Sequence, residues 1–183
     1  MYNIQVYDDL VSPPYQNFIE GKLHNDFEWK YFETIAYPKS LNIKNDGSGF
    51  VGIILPSLKT DLINLLLPLA YAASYKYTGE ENVEGIHRIR AVMLIKNQYE
   101  GVGVPHTDLE EPHTTLIYYV NDSDGPTYFY DKDMNVIKEV HPKKGRIIAF
   151  PGDVYHAGCA PKKSNYRYLI NINLAKAARM SVQ

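Results

Sequence analysis

Residues 166–173 have the sequence Tyr166-Arg-Tyr-Leu-Ile-Asn-Ile-Asn173, which alternates in the manner of a β-strand. Successive side chains of a strand point to opposite faces of the sheet. One face carries Tyr168, Ile170 and Ile172, and the other carries Arg167, Leu169, Asn171 and Asn173. An arginine among core residues is costly unless an anion pairs with it, and its planar guanidinium suits a carboxylate. The sequence therefore predicts a carboxylate site, with a dicarboxylate ligand as the natural partner, on a β-strand.

This strand is the last of a series. Strand patterns separated by turn residues cover residues 86–96, 113–120, 127–130, 136–141, 146–150 and 166–174, with a further one at 27–32. Upstream, the sequence predicts a helix beginning at Pro13 and a second one from about Pro56 to Tyr77, in which Pro68 predicts a kink or a break. Helices followed by many strands are typical of an α+β protein, mainly β, with helices covering one face of a sandwich or barrel. We expect a single domain over 1–183, with a helical buttress over about 1–85 and a β core over about 86–176.

Composition narrows the class of protein. The chain has 183 residues with a formal net charge of −2, which lacks the strong positive field expected of a nucleic-acid-binding protein. The one cysteine, Cys159, excludes an internal disulfide framework and favours a reducing, cytoplasmic location. The most apolar stretch, residues 62–73, is too short to span a membrane. Sixteen tyrosines suit a sheet-rich protein with a polar interior.

A candidate metal site lies among the six histidines. In an extended Pro105-His-Thr-Asp108, the side chains of His106 and Asp108 project from the same face. His156, which follows a Pro-Gly-Asp turn, would complete a set of two histidines and one carboxylate, the arrangement of non-heme Fe(II) sites. Taken alone, these residues are more often a loop histidine beside an aspartate and a turn histidine at the surface. Arg167 downstream is what favours the metal site.

Several further segments follow in a definite order. After His106-Thr-Asp108 come Thr115-Leu-Ile-Tyr-Tyr-Val-Asn121, Gly125-Pro-Thr-Tyr-Phe129, Val140-His-Pro-Lys-Lys-Gly-Arg-Ile-Ile-Ala-Phe150, His156 and Arg167. In these features the chain resembles the 2-oxoglutarate- and Fe(II)-dependent dioxygenases, on the branch of the prolyl 4-hydroxylases and their small bacterial and viral relatives. The resemblance runs from about Ile89 to Leu174, roughly half of the chain.

The resemblance implies a double-stranded β-helix, a cupin-like jelly roll, with the N-terminal helices packed on one sheet. It implies that His106, Asp108 and His156 bind Fe(II) and that Arg167 pairs with the distal carboxylate of 2-oxoglutarate. Tyr119 and Tyr99 would contact the same cosubstrate, and Thr127 and Asn173 would line its pocket. O2 would be the second cosubstrate, with ascorbate as a further candidate cofactor.

The implied reaction is hydroxylation of a C–H bond with formation of succinate and CO2. A prolyl residue of a peptide or protein is the favoured substrate, with a free amino acid or small metabolite as the alternative. A barrel of the cupin type that binds a metal or ligand without turnover is a different class of function, and Arg167 argues against it. We expect no nucleic-acid or membrane partner. Where many members of the family have Gly-Gly, this chain has Asp124-Gly125, which leaves the local geometry near the substrate open.

Two other patterns are assigned structural roles. Asp131-Lys-Asp-Met-Asn135 resembles the start of a calcium loop, but Val136 replaces the required glycine, so the sequence predicts a hairpin turn. His113 shares a strand face with Thr115 and Tyr119, where a core or rim histidine is expected more often than a substrate contact.

Overall fold

A computed structural model of the protein describes residues 2–35, 47–56, 61–79 and 85–175. The helices are α1 (Pro13–Asn25) and α2 (Leu62–Thr78). The strands are β1 (Gln5–Tyr7), β2 (Lys30–Phe32), β3 (Gly49–Leu55), β4 (Ile86–Ile95), β5 (His113–Tyr119), β6 (Thr127–Tyr130), β7 (Val136–Val140), β8 (Ile147–Pro151), β9 (Tyr155–Gly158) and β10 (Tyr166–Ala175).

The strands form two antiparallel sheets. The larger sheet has the order β1-β8-β5-β10-β4-β3-β2, and the smaller one has the order β7-β6-β9. Beyond β9, two isolated bridges join Val102 to Cys159 and His106 to His156, so residues 102–106 extend the smaller sheet. The protein therefore has the jelly-roll fold that the resemblance implied, mainly β with two helices.

The central strand β10 has the two faces that its sequence predicts. Tyr168, Ile170 and Ile172 are buried in the apolar core on the helical side of the larger sheet. Leu169 belongs to a second apolar core, between the sheets, which also contains Phe129. Arg167 is therefore on the inner face, between the two sheets.

The helices cover the outer face of the larger sheet. Ile19 and Leu23 of α1, together with Leu66 of α2, are fully buried there. Between them and the sheet, the indole of Trp29 stacks on the ring of Tyr168, with centroids 5.6 Å apart and an interplanar angle of 11°. The indole N–H donates to the carbonyl oxygen of Leu23 at 3.1 Å, which ties the end of α1 to the strand that carries Arg167.

In the N-terminal part, the observed helices and strands differ from those predicted from the sequence. The first 85 residues are more than a helical buttress, because β1 pairs with β8 and β3 pairs with β4, extending the larger sheet at both edges. These partners are distant in sequence, and a glycine-containing or three-residue strand has no clear periodicity of its own. The expected strand over 27–32 is only Lys30–Phe32. Helix α2 continues through Pro68 without a break, and its predicted beginning at residues 57–60 lies outside the described residues.

Within the described ranges, neither helix has the length and apolar character needed to cross a bilayer.

Candidate metal centre

A cavity of about 550 Å³, counting the space at its open mouth, lies between the two sheets. Its polar lining comes from several elements that are far apart in the chain. These residues include Arg90 of β4, Tyr99 and His106 of the segment before β5, Thr127 of β6, His156 of β9, and Arg167 and Asn171 of β10. The cavity therefore lies where the sequence analysis expected the metal and the cosubstrate.

Backbone hydrogen bonds bring the two histidines together. The amide of His106 donates to the carbonyl of His156 at 3.1 Å, and the amide of His156 donates to the carbonyl of His106 at 3.0 Å. The two imidazole rings lie with their centroids 4.7 Å apart. His156 is thus on a paired strand, β9, and not on a surface turn.

The hydrogen bonds of the rings leave the same nitrogen of each histidine available. Nδ1 of His106 is 2.9 Å from the carbonyl oxygen of Val104, and Nδ1 of His156 is 3.3 Å from that of Val154. A carbonyl only accepts, so Nδ1 carries the proton in each case and Nε2 keeps its lone pair. Nε2 of His156 lies 3.8 Å from Oδ2 of Asp108, and one ligand atom from each of the three residues lies within 4.8 Å of the others. Two imidazoles and one carboxylate in this arrangement fit Fe(II).

The Asp108 carboxylate, whose side chain is fully buried, accepts hydrogen bonds on both oxygens. Oδ1 accepts from Nη2 of Arg88 at 3.0 Å and from Nη2 of Arg90 at 3.1 Å. Oδ2 accepts from the side-chain amides of Asn171 at 2.9 Å and Asn173 at 3.1 Å. These donors fix the orientation of the carboxylate, as outer partners of metal ligands commonly do.

The electrostatics of the site favour the protonation state that a metal needs. Burial alone would raise the pKa of Asp108, but the neighbouring His156, Arg90, His106 and Arg88 hold it well below its usual range. Burial lowers the pKa of His106 to about 4, and the adjacent His156 contributes to the shift. Burial also lowers the pKa of His156. At neutral pH both imidazoles are therefore neutral and Asp108 is ionised, so metal ions compete with few protons.

Arg167 is 2% exposed and has no carboxylate within ion-pair distance among the described residues. Its Nη2 donates to Oγ1 of Thr127 at 2.7 Å, and its guanidinium carbon lies 5.4 Å from the centroid of the Tyr119 ring. Its buried Nε has no hydrogen-bond partner in the part of the chain that the structure describes. A buried cation with an unused donor fits the carboxylate of a ligand bound in the cavity.

The two predicted tyrosines lie around this arginine. The hydroxyl of Tyr119 is 2.6 Å from Oγ1 of Thr127, which also accepts from Arg167. The hydroxyl of Tyr99 donates to the carbonyl of Gly158 at 3.1 Å, and its ring lines the cavity. The guanidinium lies close against the backbone of Gly158, where a Cβ would be 3.1 Å from Nη1 of Arg167.

Five of the eight predicted site residues line the cavity, namely Tyr99, His106, Thr127, His156 and Arg167, while Asp108 lies beside His156 and Tyr119 beside Thr127 and Arg167. Asn173 is placed differently from the expectation: it is fully buried and contacts Asp108 and Thr115, outside the cavity lining. Sequence reasoning missed Arg88, Arg90 and Asn171 as contacts of Asp108. The signal was present for the arginines, because residues 88, 90, 92 and 94 alternate on one face of the predicted strand.

The segment predicted to be a hairpin turn, residues 131–135, forms one, and Asp124-Gly125 lies in a tightly bonded loop. Oδ1 of Asp131 accepts from the amides of Asp133 and Asn135, which closes the hairpin between β6 and β7. Asp124 accepts from the amides of Lys162, Lys163 and Ser164 and so fixes the loop before β10. Gly125 packs against the backbone of Cys159, whose carbonyl oxygen would lie 2.4 Å from an added Cβ.

Part of the chain matches a known protein family, and solved structures share its fold. Residues 94–175, a little under half of the chain, match the family model of the 2OG-Fe(II) oxygenase superfamily. No curated protein matches the chain in sequence. The match to the family model covers β5 to β10, including the His106, Asp108 and His156 cluster and Arg167.

Solved structures with the same fold include two prolyl hydroxylases. A prolyl-4-hydroxylase from Pseudomonas putida has a TM-score of 0.67 at 10% identity, with 96% of this chain and 94% of that chain covered. A prolyl hydroxylase from Trichoplax adhaerens, in complex with a peptide fragment of the hypoxia inducible factor oxygen degradation domain, has a TM-score of 0.68 at 13% identity, with 96% and 84% covered.

A third similar structure is that of the epimerase SnoN in complex with Fe3+, alpha ketoglutarate and nogalamycin RO, with a TM-score of 0.68 at 12% identity and 96% and 80% covered. At such identities the likeness shows a shared fold. The segment that matches the 2OG-Fe(II) oxygenase superfamily thus contains the cluster of His106, Asp108 and His156 and lies in a fold that 2OG-Fe(II) oxygenases of known structure share, so the chain is similar to the 2-oxoglutarate-dependent dioxygenases.

Proposed function

We propose that the protein hydroxylates a C–H bond of a prolyl residue in a peptide or protein. In the balanced reaction, 2-oxoglutarate, O2 and the substrate C–H give succinate, CO2 and the C–OH product. When bound, Fe(II) and 2-oxoglutarate supply the oxidising chemistry, and the protein supplies position and environment. The observation that carries the proposal is that the buried Arg167, which has no carboxylate partner among the described residues, lines the same cavity as His106 and His156 of the metal cluster.

In this proposal each residue has a distinct task. His106, Asp108 and His156 would hold Fe(II) through Nε2, a carboxylate oxygen and Nε2. Arg167 would bind the distal carboxylate of 2-oxoglutarate, and the hydroxyl of Tyr119, already next to Thr127, would donate to the same group. Tyr99 and Thr127 would form the wall of the cosubstrate pocket. Asn173 would act through Asp108, since it donates to Oδ2 of that carboxylate.

Two points support the choice of substrate. The Pseudomonas putida and Trichoplax adhaerens proteins of the same fold are prolyl hydroxylases, and the second was solved with a peptide. The cavity has an open mouth, as a peptide substrate would need. The alternative is a free amino acid or small metabolite, which the same mouth would admit. A cytoplasmic location remains a prediction, supported by the single cysteine.

The first test is anaerobic titration of the protein with Fe(II) and then 2-oxoglutarate, followed by the metal-to-ligand charge-transfer absorption. We expect the band to appear in the wild-type protein. Asp108→Ala should weaken Fe(II) binding by more than about 100-fold, because it removes a ligand whose outer partners alone are worth about 10- to 100-fold. Arg167→Ala should instead preserve Fe(II) binding and raise the 2-oxoglutarate concentration needed for the band.

Asp133→Ala is the matched control, because Asp133 is exposed in the turn between β6 and β7 and should leave the band unchanged. In air, a screen of proline-containing peptides against free amino acids, read as a mass gain of one oxygen, identifies the substrate class. A wild-type protein that gives neither the band nor succinate would contradict the proposed reaction.

A further inference from the structure

The cavity contains more positive charge than the proposed reaction uses. Arg90 lines it, Arg88 adjoins it through Asp108, and Arg167 lies deeper between the sheets. The only carboxylate that pairs with Arg88 or Arg90 among the described residues is that of Asp108. Two of the three guanidinium groups thus share the Asp108 carboxylate and the third, that of Arg167, has no carboxylate partner among the described residues, which leaves a surplus of two positive charges there.

Binding of the metal and the cosubstrate would not remove this surplus. Fe(II) brings two positive charges and 2-oxoglutarate brings two negative ones, so together they add none. The distal carboxylate of 2-oxoglutarate would pair with Arg167. Arg88 and Arg90 would then still share one carboxylate, and a buried cation without an anion is strongly unfavourable.

The two arginines are also placed to reach a ligand. Their side chains are 22% and 12% exposed, whereas that of Asp108 is fully buried, and Arg90 lines the cavity, with Arg88 beside it on the same oxygen of Asp108. Nε of Arg90 is buried and has no hydrogen-bond partner within the described ranges. The side-chain oxygen of Asn171, in the same cavity, is likewise without a donor there.

We propose that Arg88 and Arg90 form a substrate-binding site for a carboxylate, so that the enzyme acts on a substrate with an acidic group near the target carbon. The inference rests on the proposed dioxygenase reaction and names its substrate class. The carboxylate is either that of the proline itself or that of an acidic residue beside the proline. The unused oxygen of Asn171 accepts a hydrogen bond from an N–H of the same substrate.

A simpler role for the two arginines is to orient Asp108. One guanidinium is enough to neutralise one carboxylate, yet here both bind the same oxygen, Oδ1, while Asn171 and Asn173 bind the other. With Oγ1 of Thr115, which donates to Oδ2 at 3.3 Å, five donors bind this one carboxylate, more than its orientation requires. Nε of Arg90, which binds neither oxygen of Asp108 and has no partner among the described residues, is therefore available to a second anion.

The test measures binding directly, on protein loaded with Zn(II) in place of Fe(II) and with 2-oxoglutarate, so that no turnover occurs. Calorimetry compares matched pairs of probes: acetyl-proline with acetyl-prolinamide, and acetyl-Pro-Asp-amide with acetyl-Pro-Asn-amide. In at least one pair we expect the acid to bind about tenfold or more tightly than its neutral partner. The pair that discriminates identifies the source of the carboxylate.

Arg88→Gln and Arg90→Gln should abolish most of this preference, and Arg90→Lys should restore part of it because it keeps the charge and loses the planar fork. Lys22→Gln, the same change of charge at an exposed side chain of α1, is the control and should keep the preference. Zn(II) affinity measured on each variant separates orientation of Asp108 from substrate binding.

Three outcomes would overturn the inference: no pair shows a preference for the acid, no acidic probe binds, or the glutamine variants keep the preference and lose only Zn(II) affinity. Failure of the proposed function would be seen earlier in the same experiment, as absence of 2-oxoglutarate binding to the zinc-loaded protein. The two failures are therefore distinguishable.

Discussion

At the scale of single residues, neighbours in sequence have unrelated roles because a strand has two faces. Tyr118 and Tyr119 are adjacent on β5 and equally buried. Tyr119 faces the inner core, with its hydroxyl 2.6 Å from Thr127 and its ring under Arg167. Tyr118 faces the helices, and its hydroxyl has no hydrogen-bond partner among the described residues. Replacing each tyrosine by phenylalanine therefore removes one hydroxyl from either the inner or the outer face of the same sheet.

Tyr119→Phe should raise the 2-oxoglutarate concentration for half-saturation about fivefold, which corresponds to one hydrogen bond of about 1 kcal/mol. Tyr118→Phe should leave it unchanged, because that hydroxyl donates to nothing in the described structure. The measurement is the dependence of succinate formation on 2-oxoglutarate concentration for the two variants. Equal effects of both substitutions would contradict the assignment of Tyr119 to the cosubstrate.

The site residues differ in how much of their role could be predicted from the sequence. Arg167 could be predicted from alternation alone, since an arginine on the inner face of an apolar strand needs an anion. The pairing of His106 with His156 could not, because it depends on a backbone bridge between distant segments. Asn173 was placed on the correct face of β10, but which group it contacts depends on Asp108 reaching across from another segment.

At the scale of elements, β9 is a four-residue strand with two functions. It carries His156, and two residues later it carries Gly158, against which the guanidinium of Arg167 lies. The absence of a side chain at Gly158 therefore lets β9 hold the metal ligand and leave room for the arginine. The lack of a Cβ at Gly158 thus helps to set the position of the Arg167 guanidinium.

Gly158→Ala should weaken 2-oxoglutarate binding, because the new Cβ would lie 3.1 Å from Nη1 and 3.4 Å from Nη2 of Arg167 and would displace the guanidinium. We expect about a tenfold loss, equivalent to about 1.4 kcal/mol at an anion site. Gly21→Ala in α1 is the control: nothing lies within 4 Å of a Cβ added there, so the change should raise stability by up to about 1 kcal/mol. Unchanged 2-oxoglutarate affinity in Gly158→Ala would refute the positioning role.

The strands that sequence located well are those with a long alternating or apolar pattern, such as β4, β5 and β10. The ones it missed are β1, β3 and β9. Each is short or contains glycine, and each is stabilised by a partner far away in the chain. Local periodicity carries no information about such pairing, so the edges of the larger sheet could not be derived from it.

At the scale of the whole molecule, two carboxylates outside the cavity join distant parts of the fold. Asp8 follows β1, and Arg146 lies just before β8. Nε of Arg146 donates to Oδ1 of Asp8 at 2.8 Å, and its Nη2 donates to Oδ2 at 3.0 Å. Asp124 binds three backbone amides of the loop before β10. The hydrogen bond from Arg146 lowers the pKa of Asp8 to about 2. Burial opposes the shift at Asp124, but the amides of Ser164 and Lys163 still lower its pKa to about 2.

Because folding lowers both pKa values from about 4, the two carboxylates stabilise the protein above pH 4 and lose this contribution as the pH falls from about 4 to 2. The wild-type protein should therefore lose stability steeply in that range. In Asp8→Asn/Asp124→Asn the loss should be shallower, and stability at pH 7 should be lower than in the wild type. Urea unfolding from pH 2 to pH 7 measures both quantities.

Asp133→Asn is the control, because its exposed side chain accepts none of these hydrogen bonds. The assignment would be wrong if the double variant and the wild type had parallel pH profiles.

The stacking of Trp29 on Tyr168 gives the protein an optical reporter. Trp29 is the one tryptophan in the sequence, so all indole fluorescence comes from the point where the end of α1 meets β10. Arg167 is the next residue to Tyr168 on that strand and points to the opposite face. Emission and iron absorption would thus monitor the two sides of one strand. Comparing them during unfolding would reveal whether the helical cover separates from the sheet before the iron site is lost.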